Sequence, residues 1–216
     1  MALLYYSRIR FITLLTPFLT TSTTHPSHII SVYAAGMESS GTFHPQDLGL
    51  RGNDAKGRPT YSFANCRANV VYMTTMMFEH LAQQHKGKMA LLHVWPKIVI
   101  TPAYKADYHA WWFKVVLRMA VPLMRLVAVS PEEIGQRLLY CADDERFPAA
   151  DFAGKGAIEA TDGTLGGGAY AISYTGEDSK AQRYYPQLRK EGFKERVVEH
   201  TMGAFRAVEE GRKFEG

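Results

Sequence analysis

The sequence predicts an α/β fold with parallel strands at about residues 28–33, 89–94 and 169–174, flanked by helices. Three observations carry this. His28 to Tyr33 is a β-branched run closed by Ala34, Ala35 and Gly36, as expected of a buried strand. Met89 to Val94 is an apolar run with one histidine, too short for a further helix and halted by Pro96. Ahead of it, Phe63, Val70, Val71, Met73, Met76, Met77 and Leu81 recur at helical spacing, and a helix feeding a buried strand is half of a parallel α/β unit.

Taken in order, Met1 to Leu19 is apolar from the initiator, as a signal peptide is. Arg8 and Arg10 fall in its middle and no small-x-small cleavage site follows, so the stretch reads as a folded amphipathic helix and the protein as cytoplasmic. Leu3, Tyr6, Arg10, Leu14 and Phe18 define the expected face, with a break at Pro17. Residues 37–59 are rich in Gly, Ser, Asp and Asn without periodicity and read as a long surface loop. Thr60 is the expected cap of the helix over 61–86, with Gly87 closing it.

Beyond Pro102 the segment 106–129 is apolar, led by Trp111, Trp112 and Phe113. Lys114, Arg118 and Arg125 make a basic stripe along it, and Pro122 is expected to kink it. A flap over a pocket is one reading and a helix in peripheral membrane contact the other; three charges argue against a span. Ser130-Pro131-Glu132-Glu133 is a capping box that starts a helix running to about Cys141. Gly163 to Gly168 lacks the Lys-Ser/Thr of a phosphate loop and reads as a turn before the last strand. The segment 181–210 is expected to be one or two helices with Tyr184, Leu188, Val197, Val198, Met202, Phe205 and Val208 facing inward.

The chain has 216 residues and 46% hydrophobic content, enough for a core and one domain over 1–216. A formal charge of +4 and a pI near 9.0 come from scattered Lys and Arg, which speaks against nucleic-acid binding. Cys66 and Cys141 read as reduced, buried thiols, and the histidines share no helical face with carboxylates, so no metal is expected.

A tyrosine near a helix start beneath a strand end, followed in the next turn by a lysine, can act as an acid or base. Here the run is Tyr61-Ser62-Phe63-Ala64-Asn65, with asparagine where a lysine would stand. With the helix–strand order and the strand exit Pro96-Lys97-Ile98-Val99-Ile100-Thr101-Pro102, the chain resembles the short-chain dehydrogenase/reductase family, with a Rossmann-type fold. Tyr5-Tyr6-Ser7-Arg8 and Glu199-His200-Thr201 are similar to reductase-like proteins of fungal secondary-metabolite pathways. The resemblance implies a partial Rossmann-like fold lacking the amino-terminal glycine-rich half. It implies an oxidoreductase of a hydrophobic carbonyl or alcohol, dependent on NADP or NAD, with Tyr61 and Ser31 as catalytic groups. Asn65, Val99 and Thr101 would meet the cofactor, and a homodimer would form through helices 2–18 and 61–86. Tyr33 stands at the family's serine position, Lys97 at a glycine position. The alternative is a catalytically inactive truncated homologue that serves as a scaffold or binds a partner.

Overall fold

The computed structural model describes residues 1–38, 42–102, 110–152 and 154–214. Three strands, β1 (Ser27–Val32), β2 (Met89–Val94) and β3 (Ala169–Ile172), form one parallel sheet in the order β1-β2-β3. In register, Ser31 lies opposite His93, and Val94 sits between Val32 and Ile172.

Every residue of β2 is buried, which explains its nearly unbroken apolar run: a central strand covered on both faces has no polar side to alternate with. Its alternate residues serve two cores. Met89 and Leu91 join Ala169 and Ala171 against Val70, Met73, Met77 and Leu81. Ala90, Leu92 and Val94 join Tyr170 and Ile172 against Cys141, Phe147 and Ala160.

The first face is covered by α1 (Ser7–Leu19), preceded by a wider turn over Ala2–Tyr6, by α2 (Phe63–Gln84) and by α6 (Phe193–Glu209). The second is closed by the loops after α4 (Pro131–Tyr140). A 3₁₀ turn, Ala181–Tyr184, and the short α5 (Pro186–Lys190) lead into α6. Ser130 caps α4 by accepting from Glu133 N–H at 3.1 Å, as its capping box predicts. Both cysteines are buried free thiols, and Gly163, Gly166 and Gly168 all take positive φ in the turn before β3.

Several local expectations are corrected. Through the opening turn and α1 the buried residues are Tyr5, Ile9 and Ile12, whereas Leu3, Leu14 and Phe18 are exposed. The face is set from outside the helix: the Tyr5 hydroxyl meets Thr201 Oγ1 at 2.7 Å and fixes the rotation. Pro17 does not break α1, which runs on to Leu19; so near the end, the missing N–H forfeits little. Thr60 does not cap α2. Its hydroxyl donates to Asp47 and Gly52, and Ser62 takes the cap by accepting from Asn65 N–H at 3.1 Å. Tyr61 therefore precedes the helix. The 37–59 loop is not only surface, because Leu48 and Leu50 are buried and the Asn69 side chain binds the backbone of His44 and Asp47. Val208 is exposed rather than inward. Of the 106–129 segment, α3 spans Trp111–Met124 and includes Pro122; residues 103–109 lie outside the described residues.

Candidate functional site

The carboxyl ends of β1 and β2 bring the proposed residues of the first strand beside the loop that follows the second. Tyr33 continues the ladder past β1, its N–H donating to Val94 O at 2.7 Å. From α1, Arg8 reaches this end and its guanidinium donates to Ser31 Oγ at 3.1 Å and to Val32 O at 2.8 Å. The same guanidinium lies 5.8 Å from the centre of the Tyr33 ring. Ser31 is therefore held, buried, as a hydrogen-bond acceptor.

His93 forms the floor. The N–H of Ala34 donates to its Nε2 at 3.2 Å, so Nδ1 carries the proton and donates to Thr75 Oγ1 at 3.2 Å. Burial drives its pKa down to about 3, with Arg8 adding to the effect. His200, beneath the Tyr6 hydroxyl at 2.6 Å, is likewise pushed down to about 4 by burial and then by Arg51. Both imidazoles are neutral in the fold but bind protons near the ordinary 6.5 when unfolded. Their contribution is thus intact above that pH and is lost as pH falls towards 4 and then 3, by up to ~1.4 kcal/mol per pH unit for each. Urea midpoints should drop between pH 7 and pH 5, and the drop should shrink in His93→Gln; an equal drop would contradict a buried neutral His93.

The Tyr33 ring stacks on His93 with centroids 6.3 Å apart. Its hydroxyl is shielded from solvent and has no hydrogen-bond partner among the described residues. Burial raises its pKa, while the charges of Arg67 and Arg8 pull it back. A phenol in this state stays protonated and has a donor to spare.

The remaining predicted residues are distributed unevenly. Tyr61 is 60% exposed, and no hydrogen bond among the described residues joins it to Ser31, Val99 or Thr101. Asn65 is engaged locally, its Nδ2 donating to Thr60 O at 2.7 Å. Val99 bridges Val129 in a parallel pair, and Val129 N–H donates to Ile98 O at 2.9 Å, so the loop after β2 is pinned to the start of α4. Lys97 adopts φ 63°, the left-handed bend that glycine favours. Its Nζ sits 4.4 Å from the centre of the Tyr174 ring. The bend expected of a glycine is thus kept by a lysine. Thr101 lines a cleft of about 750 Å³ with Lys114, Arg118 and Arg125.

Sequence reasoning placed Tyr33 at the family's serine position without a role and set Arg67 aside as a substitute for the lysine. Arg67 lies about 200° around the helix from Asn65, and it is Arg67 rather than Asn65 whose charge acts on the strand end. The signal was present one turn after Phe63: Phe63 to Arg67 repeats the four-residue interval of Tyr61 to Asn65, two residues later.

No family model and no solved structure matches the chain. Curated proteins do. A protein of Stachybotrys chartarum named short-chain dehydrogenase/reductase SAT2 is 31% identical over 207 residues, covering 92% of this chain and 56% of the relative. The chain is thus similar to a protein named a short-chain dehydrogenase/reductase. Oxidoreductase AN1596 of Emericella nidulans is 32% identical over 209 residues, 93% of this chain and 59% of its own length. Oxidoreductase andH of Emericella variicolor is 25% identical over 215 residues, 94% of this chain and 59% of its own. The chain thus spans between half and two thirds of the proteins it matches. Its three-stranded parallel sheet is a partial Rossmann-like arrangement.

Proposed function

We propose that the chain is the carbonyl-binding and proton-handling part of a nicotinamide-dependent oxidoreductase, acting in the cytoplasm on a hydrophobic ketone or alcohol of secondary metabolism, with NADP rather than NAD as partner. The observation that carries the reading is the buried Tyr33 hydroxyl, unpartnered among the described residues at the carboxyl end of β1, with Arg8 over its ring and the charge of Arg67 acting on it. A buried donor without an acceptor costs about 1–3 kcal/mol, and folded chains rarely keep one without a use.

In this reading Tyr33 donates to the substrate carbonyl from the place where the family has a serine. The cations of Arg8 and Arg67 favour the negative charge that develops on that oxygen, as pre-set donors do in other carbonyl-reducing sites. Ser31, held by Arg8, positions the guanidinium. Tyr61, open to water, passes the final proton. Asn65 sets the first turn of α2 below it.

The residues after β2 fit the carboxamide end of a nicotinamide: the left-handed bend at Lys97 shapes the backbone, and Thr101 offers a hydroxyl inside the cleft. The cofactor, when bound, supplies the hydride. Lys114, Arg118 and Arg125 on the same cleft suit an anionic ligand. The reading is tested by titrating the chain with NADPH and then adding a hydrophobic ketone.

A second reading, a non-catalytic partner-binding homologue, is favoured by the engaged Asn65 amide, which holds no charge beside Tyr61. A homodimer could use the exposed side of α1, where Phe11, Leu14, Leu15 and Phe18 face outward.

A further inference from the structure

We propose that α3 is a membrane-surface helix that seats the protein on an anionic phospholipid bilayer. At about 100° per residue, α3 divides into three sides. Phe113, Leu117, Ala120, Val121 and Met124 make a half-buried side, with Leu117 and Val121 lining the cleft beside Ile100 and Thr101. On the opposite side stand Trp111, Trp112, Val115, Val116, Met119 and Leu123, all exposed, Trp111 and Met119 each at 78%. Along one flank run Lys114, Arg118 and Arg125. No residue of α3 is buried.

An outward face of two tryptophans and four aliphatic side chains is not what a water-facing helix presents. Leu126 and Val127, exposed in the turn that follows, extend it. The charge pattern selects the occupant. No Asp or Glu occurs between Asp107 and Glu132, so the flank is uniformly basic beside an apolar face. That matches a layer whose surface is negative and whose interior is hydrocarbon. Tryptophan at the leading end suits the headgroup boundary. Among the described residues no helix is long and apolar enough to cross a membrane, so the helix would lie in the interface plane. The basic flank also lines the cleft of the oxidoreductase reading, but the vesicle test reads membrane binding alone, so failure of that reading would leave this inference standing.

The test is co-sedimentation of the full chain with phosphatidylcholine vesicles with and without phosphatidylserine, at matched ionic strength. Binding is expected with phosphatidylserine and should weaken at least tenfold without it. Arg118→Gln should weaken it about fivefold, and Met119→Glu, on an exposed position that leaves the core intact, should abolish it. Each of the following results would overturn the proposal. The first is no sedimentation with either vesicle, and the second is sedimentation unchanged by Met119→Glu. The third is loss through Phe11→Glu on α1 instead, with Met119→Glu still bound. The fourth is displacement by inorganic phosphate at constant ionic strength, which would mark a free-phosphate site, or α3-dependent self-association of the chain with no vesicle binding.

Discussion

Arg189→Ala is expected to cost about 3–5 kcal/mol of folding stability, the range for removing one partner of a buried ion pair. Glu79 lies in the middle of α2 with its side chain 1% exposed. Its carboxylate accepts from Arg189 Nε at 3.1 Å, from the Arg189 terminal nitrogen, and from Thr161 Oγ1 at 2.8 Å. Arg189 also donates to Thr161 O at 2.7 Å, so one side chain fastens α5 and the loop before β3 to the central helix. Without it the carboxylate keeps one hydroxyl and no counter-charge. Arg189 is itself 23% exposed, so entering water should hold the loss to the lower part of that range. Thermal melting would fall by roughly 2–4 °C per kcal/mol for a chain of this size. Pairing the change with Glu79→Leu should recover much of the loss. A loss below about 1 kcal/mol would mean that Glu79 is solvated or protonated in the fold.

Tyr33→Phe should separate stability from activity. The change removes only a hydroxyl that is buried and unpartnered, leaving the ring stacked on His93 and beneath Arg8. Folding stability should stay level or rise, since the desolvated donor is relieved of its cost. Ketone reduction should fall by about 10²–10³, the effect of deleting one pre-set donor to a developing oxyanion. The loss should appear in kcat more than in KM, because the donor acts most strongly on the charged oxygen. A variant that loses stability and keeps its rate would show that the hydroxyl is structural.

How much of this could be read from the sequence depends on how local each signal is. The strands were legible because a buried parallel strand is a short apolar run with an abrupt stop, and all three lie within two residues of their expected limits. The cap of α2 was expected at Thr60 and is made by Ser62, two residues on. The choice was made by Asp47, 13 residues upstream, which takes the Thr60 hydroxyl. That shift moves Tyr61 out of the helix. The face of α1 was missed for a similar reason: Tyr5 is drawn inward by Thr201, 196 residues away. The Glu79–Arg189 pair, 110 residues apart, leaves no trace in periodicity. At the candidate site, a tyrosine in a serine position looks like a lost group until Arg8, from another element, comes over its ring.

The most direct measurement is a fluorescence titration of the folded chain with NADPH, followed by addition of a hydrophobic ketone. A saturable rise in cofactor emission, then its decay as the ketone is reduced, with the decay slowed in Tyr33→Phe, is the predicted result. A chain that melts cooperatively yet neither changes NADPH emission nor consumes it would contradict the assignment of the β1 and β2 carboxyl ends as a nicotinamide-dependent site.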